Sequence, residues 1–247
     1  MKIAFLDPVP EQYKLEILVK EISKYKSDNT ELIYHNDLKG TDNFEYLTFE
    51  AFMIPEIIKK VMTLGEENYD GVIIGCFHDP GLDALKECTS NITITAPAES
   101  ALSIAAMLGR TYALISPSKK TMPQQLHITE KYRSQRLKLV SHKSLDMKVT
   151  ELQDNTTDLL ENMSHKIEES IIESNPEVII LGCTLEVGQF EILQKKYNRP
   201  VIDAGVAALK QAEFLINCKD RCGWKVSKTG TYSSPSSNDF SKLKDLL

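Results

Sequence analysis

No apolar run in this chain approaches the roughly 20 residues that a membrane-spanning helix needs, so the sequence gives no reason to place it in a bilayer. Basic clusters are also missing, and the formal net charge is −6. That balance argues against nucleic acid or an anionic membrane surface as partner. Cysteine is sparse: five residues, an odd number, spaced unlike a disulfide framework. Such usage fits a reducing compartment, so a cytoplasmic location is expected. The apolar start Met1–Leu6 is too short for a signal peptide and runs into Asp7-Pro8, so it reads as a first strand. Cys218 and Cys222 have the spacing of half a zinc site, but no second half follows, so no metal is expected. What remains is an ordinary globular composition, 42% hydrophobic and 26% charged. Its 247 residues suffice for one large α/β domain or two small ones.

What the chain does have is a phrase stated twice. Asp70-Gly71-Val72-Ile73-Ile74-Gly75-Cys76 returns as Glu177-Val178-Ile179-Ile180-Leu181-Gly182-Cys183. Each run is short, β-branched and closed by Gly, which predicts a buried parallel strand ending at a cysteine. The repetition extends outward. Ile3–Leu6 before Asp7-Pro8 matches Tyr112–Ile115 before Ser116-Pro117. Helical patterns follow over 11–24 and 122–133, then strands over Glu31–His35 and Arg136–Val140. Longer helices are predicted over 46–64 and 155–174. After the cysteine strands come fourth strands, Ile92–Thr95 and Pro200–Ile202, and Ala-rich helices over 98–108 and 204–217. The expected fold is α/β: two pseudo-symmetric lobes, each a four-stranded parallel sheet with helices on both faces, and the site in the cleft between them. The expected first lobe spans 1–105, joined by the C-terminal segment 205–247, and the second spans 106–204. The stretch Ser227–Asp239, rich in Ser, Thr, Asn and Pro, is expected to be loose.

Side chains at the C-terminal ends of parallel strands line a ligand crevice, so Cys76 and Cys183 are expected to face a small-molecule substrate from opposite sides. A thiol and a thiolate are suited to inverting a carbon acid, one removing the proton on one face and the other supplying it on the opposite face. A following helix would lower each thiol's pKa. The amides of Phe77, His78, Thr184 and Leu185 are the expected donors to a developing enolate oxygen. With the carbon in contact with both, the sulfurs should stand about 7 Å apart. No metal, flavin or pyridoxal is required. For one cysteine alone, a small buried hydrophobe is the ordinary reading; the symmetry of the pair is what favours chemistry. Asp7 and Ser116 occupy matching loop positions, where they either contact ligand or shape the turns.

These residues resemble the aspartate/glutamate/hydantoin racemase superfamily, whose members are cofactor-independent and use one Cys from each half. The likeness is closest to the hydantoin/allantoin branch. Gly75-Cys76-Phe77-His78-Asp79-Pro80-Gly81-Leu82 is similar to that branch's Cys-Phe-x-Asp-Pro-Gly-Leu motif, and Gly182-Cys183-Thr184 with Pro200–Asp203 is similar to its second. The resemblance implies racemisation at the 5-position of a hydantoin ring or of allantoin, by a homo-oligomer. It also implies a substrate-wall residue near Phe44-Glu45. Asp7-Pro8-Val9 departs from the branch's Asn-Pro-Asn, and Leu185-Glu186 replaces its small residues. Should Glu186 face the crevice, its charge would disfavour an anionic substrate. An aspartate/glutamate racemase, a maleate-type isomerase, a decarboxylase of the arylmalonate kind and a non-catalytic binding protein are the alternatives.

Overall fold

The computed structural model describes residues 1–9, 15–132, 134–236 and 239. Positions 11–14 and 133 of the expected helices, and 237, 238 and 240–247 of the C-terminal segment, lie outside the described residues. The first sheet holds β1 (Lys2–Leu6), β2 (Glu31–His35), β3 (Gly71–Ile74) and β4 (Thr93–Thr95). The second holds β5 (Thr111–Ser116), β6 (Lys138–Ser144), β7 (Val178–Leu181) and β8 (Val201–Asp203). Strand orders are β2-β1-β3-β4 and β6-β5-β7-β8, parallel throughout, so the two sheets share one topology. Helices connect them: α1 (Leu15–Ser23), α2 (Leu47–Glu66), α3 (Leu82–Cys88), α4 (Pro97–Leu108), α5 (Met122–Lys131), α6 (Thr156–Ser174), α7 (Phe190–Tyr197) and α8 (Ala204–Cys222).

The repeated apolar phrases are the centres of both sheets. Val72–Ile74 and Val178–Leu181 are wholly inaccessible, as strands covered on both faces must be. Their registers also agree, Leu6 lying opposite Ile74 and Ile115 opposite Leu181. Gly75 N–H then donates to Leu6 O and Gly182 N–H to Ile115 O, each at 2.8 Å. Both cysteines therefore leave their sheets at equivalent points.

The Ala-rich helices pack on one another between the sheets. Each also covers the sheet of the other copy. Ala98, Ala101 and Ala105 of α4 pack with Tyr112 and Leu114 of β5 and with Val178 and Ile180 of β7. Ala208, Ala212 and Ile216 of α8 pack with Ile3 and Phe5 of β1 and with Leu18 and Ile22 of α1. Small side chains permit this close approach. Asp203 caps α8 through Gly205 N–H (2.9 Å) and Val206 N–H (3.0 Å), and Asp79 caps α4 from a distant loop through Ala98 N–H (2.9 Å) and Glu99 N–H (2.8 Å).

Two elements depart from expectation. β6 starts and ends later than Arg136–Val140, because an irregularity between Tyr112 and Ala113 skips Val140 and carries the polar stretch Ser141–Ser144 into pairing with β5. The segment expected to be loose is docked over part of its length. Lys228 Nζ donates to the carbonyls of Lys86 and Glu87 (2.6 and 2.9 Å), and Ser234 Oγ donates to Glu87 O (2.7 Å). These groups satisfy the orphan carbonyls at the end of the short helix α3. Tyr232 OH adds a bond to Asp83 at 3.0 Å.

Candidate active site

Both cysteines occupy turns in which the chain reverses on itself. Cys76 N–H donates to Ile74 O (2.8 Å), and Asp79 N–H donates back to Cys76 O (3.0 Å). Cys183 precedes a single 3-10 turn, Thr184–Glu186, closed by Glu186 N–H to Cys183 O at 3.0 Å. In each turn the amide two residues on is aimed at the thiol: His78 N–H at Cys76 and Leu185 N–H at Cys183. Those two amides therefore already face the sulfurs. No α-helix begins directly behind either cysteine, since α3 opens at Leu82 and α7 at Phe190. One amide per sulfur replaces the expected macrodipole.

Burial consequently dominates the acidity of both thiols. It pushes Cys76 well above the ordinary thiol range, with the charges of Glu50, Cys183 and Asp79 adding to the effect. It likewise pushes Cys183 up, and Glu186, Asp7 and Glu45 add to it. Burial therefore favours the protonated form of both thiols, where the helix argument expected easy ionisation.

The cysteines line one cavity of about 470 Å³, the scale of a small-molecule site. Asp7, Phe44, Phe77 and His78 line it beside Cys76, and Thr184 and Leu185 line it beside Cys183. Thr184 Oγ1 donates across the lobes to Gly75 O at 3.1 Å, joining the two cysteine turns directly. Ser118 Oγ and Glu45 Oε1 form a second link at 2.9 Å.

Asp7 shapes its turn and also borders the cavity. One carboxyl oxygen accepts Val9 N–H (3.0 Å) and the other accepts Tyr34 OH (2.9 Å), while the residue also lines the cavity. Burial pushes its pKa up to about 6 against those bonds. Ser116 does not line the cavity and is fully buried behind it. It donates its hydroxyl hydrogen to Gln125 Oε1 and accepts Nε2–H of His142 at 2.6 Å. One hydroxyl has one hydrogen, so the second partner must donate. Burial pushes His142 down to about 4, which keeps its ring neutral. Gln125, held in this way, turns its amide nitrogen to Gly182 O at 2.7 Å and reaches the cavity itself.

Glu186 does not face the crevice. It is fully buried, with the amides of Cys183 and Gly182 and the carboxyl group of Asp203 near it. Burial raises its pKa well above the ordinary carboxylate value, and because it does not line the cavity the expected repulsion of an anionic substrate does not arise from it.

Several lining residues escaped the sequence reading: Val9, Asp42, Thr121, Gln125, Val149 and Thr150. The duplication held a signal for some of them. Asp42 and Phe44 lie between β2 and α2, and Val149 and Thr150 lie at the matching place between β6 and α6. Among the described residues no cluster of three or more His, Cys, Asp or Glu could hold a metal ion, and no helix is long and apolar enough to cross a membrane.

Comparison with known proteins agrees with this geometry. The family model described as Asp/Glu/Hydantoin racemase matches residues 15–212. A hydantoin racemase from a Pseudomonas species is 29% identical over 220 residues, covering 88% of this chain and 85% of that protein. One from Paenarthrobacter aurescens is 27% identical over 97% of this chain and all of its own length. The crystal structure of an allantoin racemase from Pseudomonas fluorescens superposes with a TM-score of 0.86 at 25% identity, covering 96% of this chain and 97% of that one.

Proposed function

The chain belongs to the Asp/Glu/hydantoin racemase family and is a racemase-type isomerase, and from that premise we propose that it inverts the acidic carbon of a 5-substituted hydantoin or allantoin, with Cys76 and Cys183 as the two acid–base groups. The observation that carries this reading is that both cysteines, delivered by equivalent strand ends, line a single cavity. The lining supports a ring substrate over aspartate or glutamate. Among the described lining residues there is no lysine or arginine, while Asp7 and Asp42 are present, a poor setting for a dicarboxylate.

In this mechanism one thiolate removes the proton from C5, the ring carbon flanked by the C4 carbonyl that acidifies it and by N1. The C–H electron pair moves into the ring and onto the carbonyl oxygen as an enolate. The opposite thiol then delivers its proton to the other face, and the two cysteines finish with their roles exchanged. Substrate binding displaces water from an already buried site and brings the charged intermediate against preorganised donors. The amides of Phe77 and Thr184 are free of the thiols and are the backbone donors assigned to that oxygen. Phe44 and Leu185 form apolar walls against the ring substituent, and Asp7 bounds the floor through its bonds to Tyr34 and Val9.

Polarimetry with single-enantiomer hydantoins tests the proposal. Cys76→Ser and Cys183→Ser should each lose racemisation by at least about 100-fold, the scale of a lost acid–base group. Each can retain solvent-deuterium exchange from the enantiomer that its remaining thiol addresses. Full racemisation by either variant would sink the two-base proposal.

A further inference from the structure

The two halves differ at the matched position two residues after each thiol. Two residues after Cys183 comes Leu185, and two after Cys76 comes His78. Their amides do the same work, but their side chains do not. His78 is 6% exposed, lines the cavity, and places Nδ1 3.3 Å from Glu50 Oε2 of α2. The contact is not aligned as a hydrogen bond, and Nδ1 is left buried without a protein partner in bonding geometry. A carboxylate at that distance favours the tautomer with its hydrogen on Nδ1. The lone pair of Nε2 is then free, on a ring that borders the substrate space.

A hydantoin ring carries its own N–H groups beside the carbonyls, and an unpaired acceptor in a buried site selects for them. We propose that His78, oriented by Glu50, is a specificity-determining residue that accepts a hydrogen bond from a ring N–H of the substrate. The inference rests on the racemase reading and adds how a cyclic ureide is distinguished from a ring of the same shape without that hydrogen. The second lobe offers Leu185 in the same place, so the ring is held in one orientation despite the pseudo-symmetry. No proton leaves His78 in this arrangement; it fixes the ring while the thiols move protons. Glu50 acts through His78 and is a positioning residue.

The test compares a 5-substituted hydantoin with its N1-methyl and N3-methyl derivatives. The unmodified protein should prefer the parent over one of the two derivatives by about 100-fold in kcat/KM. His78→Leu should bring that ratio close to one, His78→Gln, which keeps an acceptor oxygen, should retain part of it, and Glu50→Ala should reduce it. A purely structural role for His78 would lower all three substrates alike. Calorimetry with 5,5-dimethylhydantoin, which has no hydrogen to lose, and its N-methyl derivatives reads the same preference without turnover. A His78-dependent preference in binding without racemisation would sustain this inference and overturn the racemase reading. Racemisation with no preference for the N–H, or a preference unchanged in His78→Leu, would overturn this inference and leave the racemase reading standing.

Discussion

At the scale of residues, the acidity of two sulfurs decides when the protein works. A thiol must ionise to remove a carbon-bound proton, and burial has moved both thiols upward from an ordinary value near 8.5. The expected pH dependence follows in sign: kcat/KM for racemisation climbs as pH rises from 7 and keeps climbing beyond the ordinary thiol range. An initial-rate profile that levels off at or below pH 7 would contradict it. The cysteines themselves were legible because they recur in a repeated phrase. Their environment was not, since Glu50, Glu45 and Asp7 come from separate segments that meet the cysteines only in the folded chain. Ser116 shows the same limit. Its place after β5 was readable, yet whether its hydroxyl meets ligand or Gln125 depends on α5 folding over it.

At the scale of elements, the decisive feature is how each strand hands over to its turn. A Cβ on Gly182 would lie 2.6 Å from the carbonyl oxygen of Ile115 and 2.9 Å from Gln125 Oε1. Backbone cannot retreat as a side-chain tip can. Gly182→Ala should therefore destabilise the protein by about 1–3 kcal/mol in denaturant unfolding and lower kcat more than it raises KM, because Cys183 is displaced. Thr184→Val removes the donor to Gly75 O while keeping the shape. It should cost about 1 kcal/mol or more, read as a lower melting temperature. Strand and helix order was legible throughout, since hydrophobic period and punctuation agree in both copies. The position of β6 was not, because pairing with β5 rather than its own apolar pattern sets its limits. The docking of the C-terminal segment was hidden for a related reason: a polar composition says nothing about carbonyls left open at the end of α3.

For the whole molecule, buried carboxyls set the response to acid. Burial raises Asp7 and Asp203 to about 6 and Asp79 to about 7, and lifts Glu186 well above its ordinary value as well. In the unfolded chain these groups ionise near 4. Between about pH 4 and 7 the folded state therefore holds more protons, and stability rises as pH falls. Melting temperature should be higher at pH 5 than at pH 8. His142, pushed down to about 4, and His35, also lowered, oppose this below about pH 6.5, but they are fewer than the raised carboxyls; Asp37, Asp83 and Glu213 have lowered pKa values and withdraw their support only below the ordinary carboxylate range. Asp203→Asn keeps the cap of α8 and should remove about 3 kcal/mol of this dependence, seen as a flatter plot of melting temperature against pH. An unchanged slope in that variant would place the proton uptake elsewhere.

Because α4 is laid over the second sheet and α8 over the first, the halves are cross-laced and cannot swing apart like the shells of a clam. Cutting the chain between the copies would strand each half without the helix that roofs it, so neither fragment should fold by itself, whereas the two mixed together should reassemble.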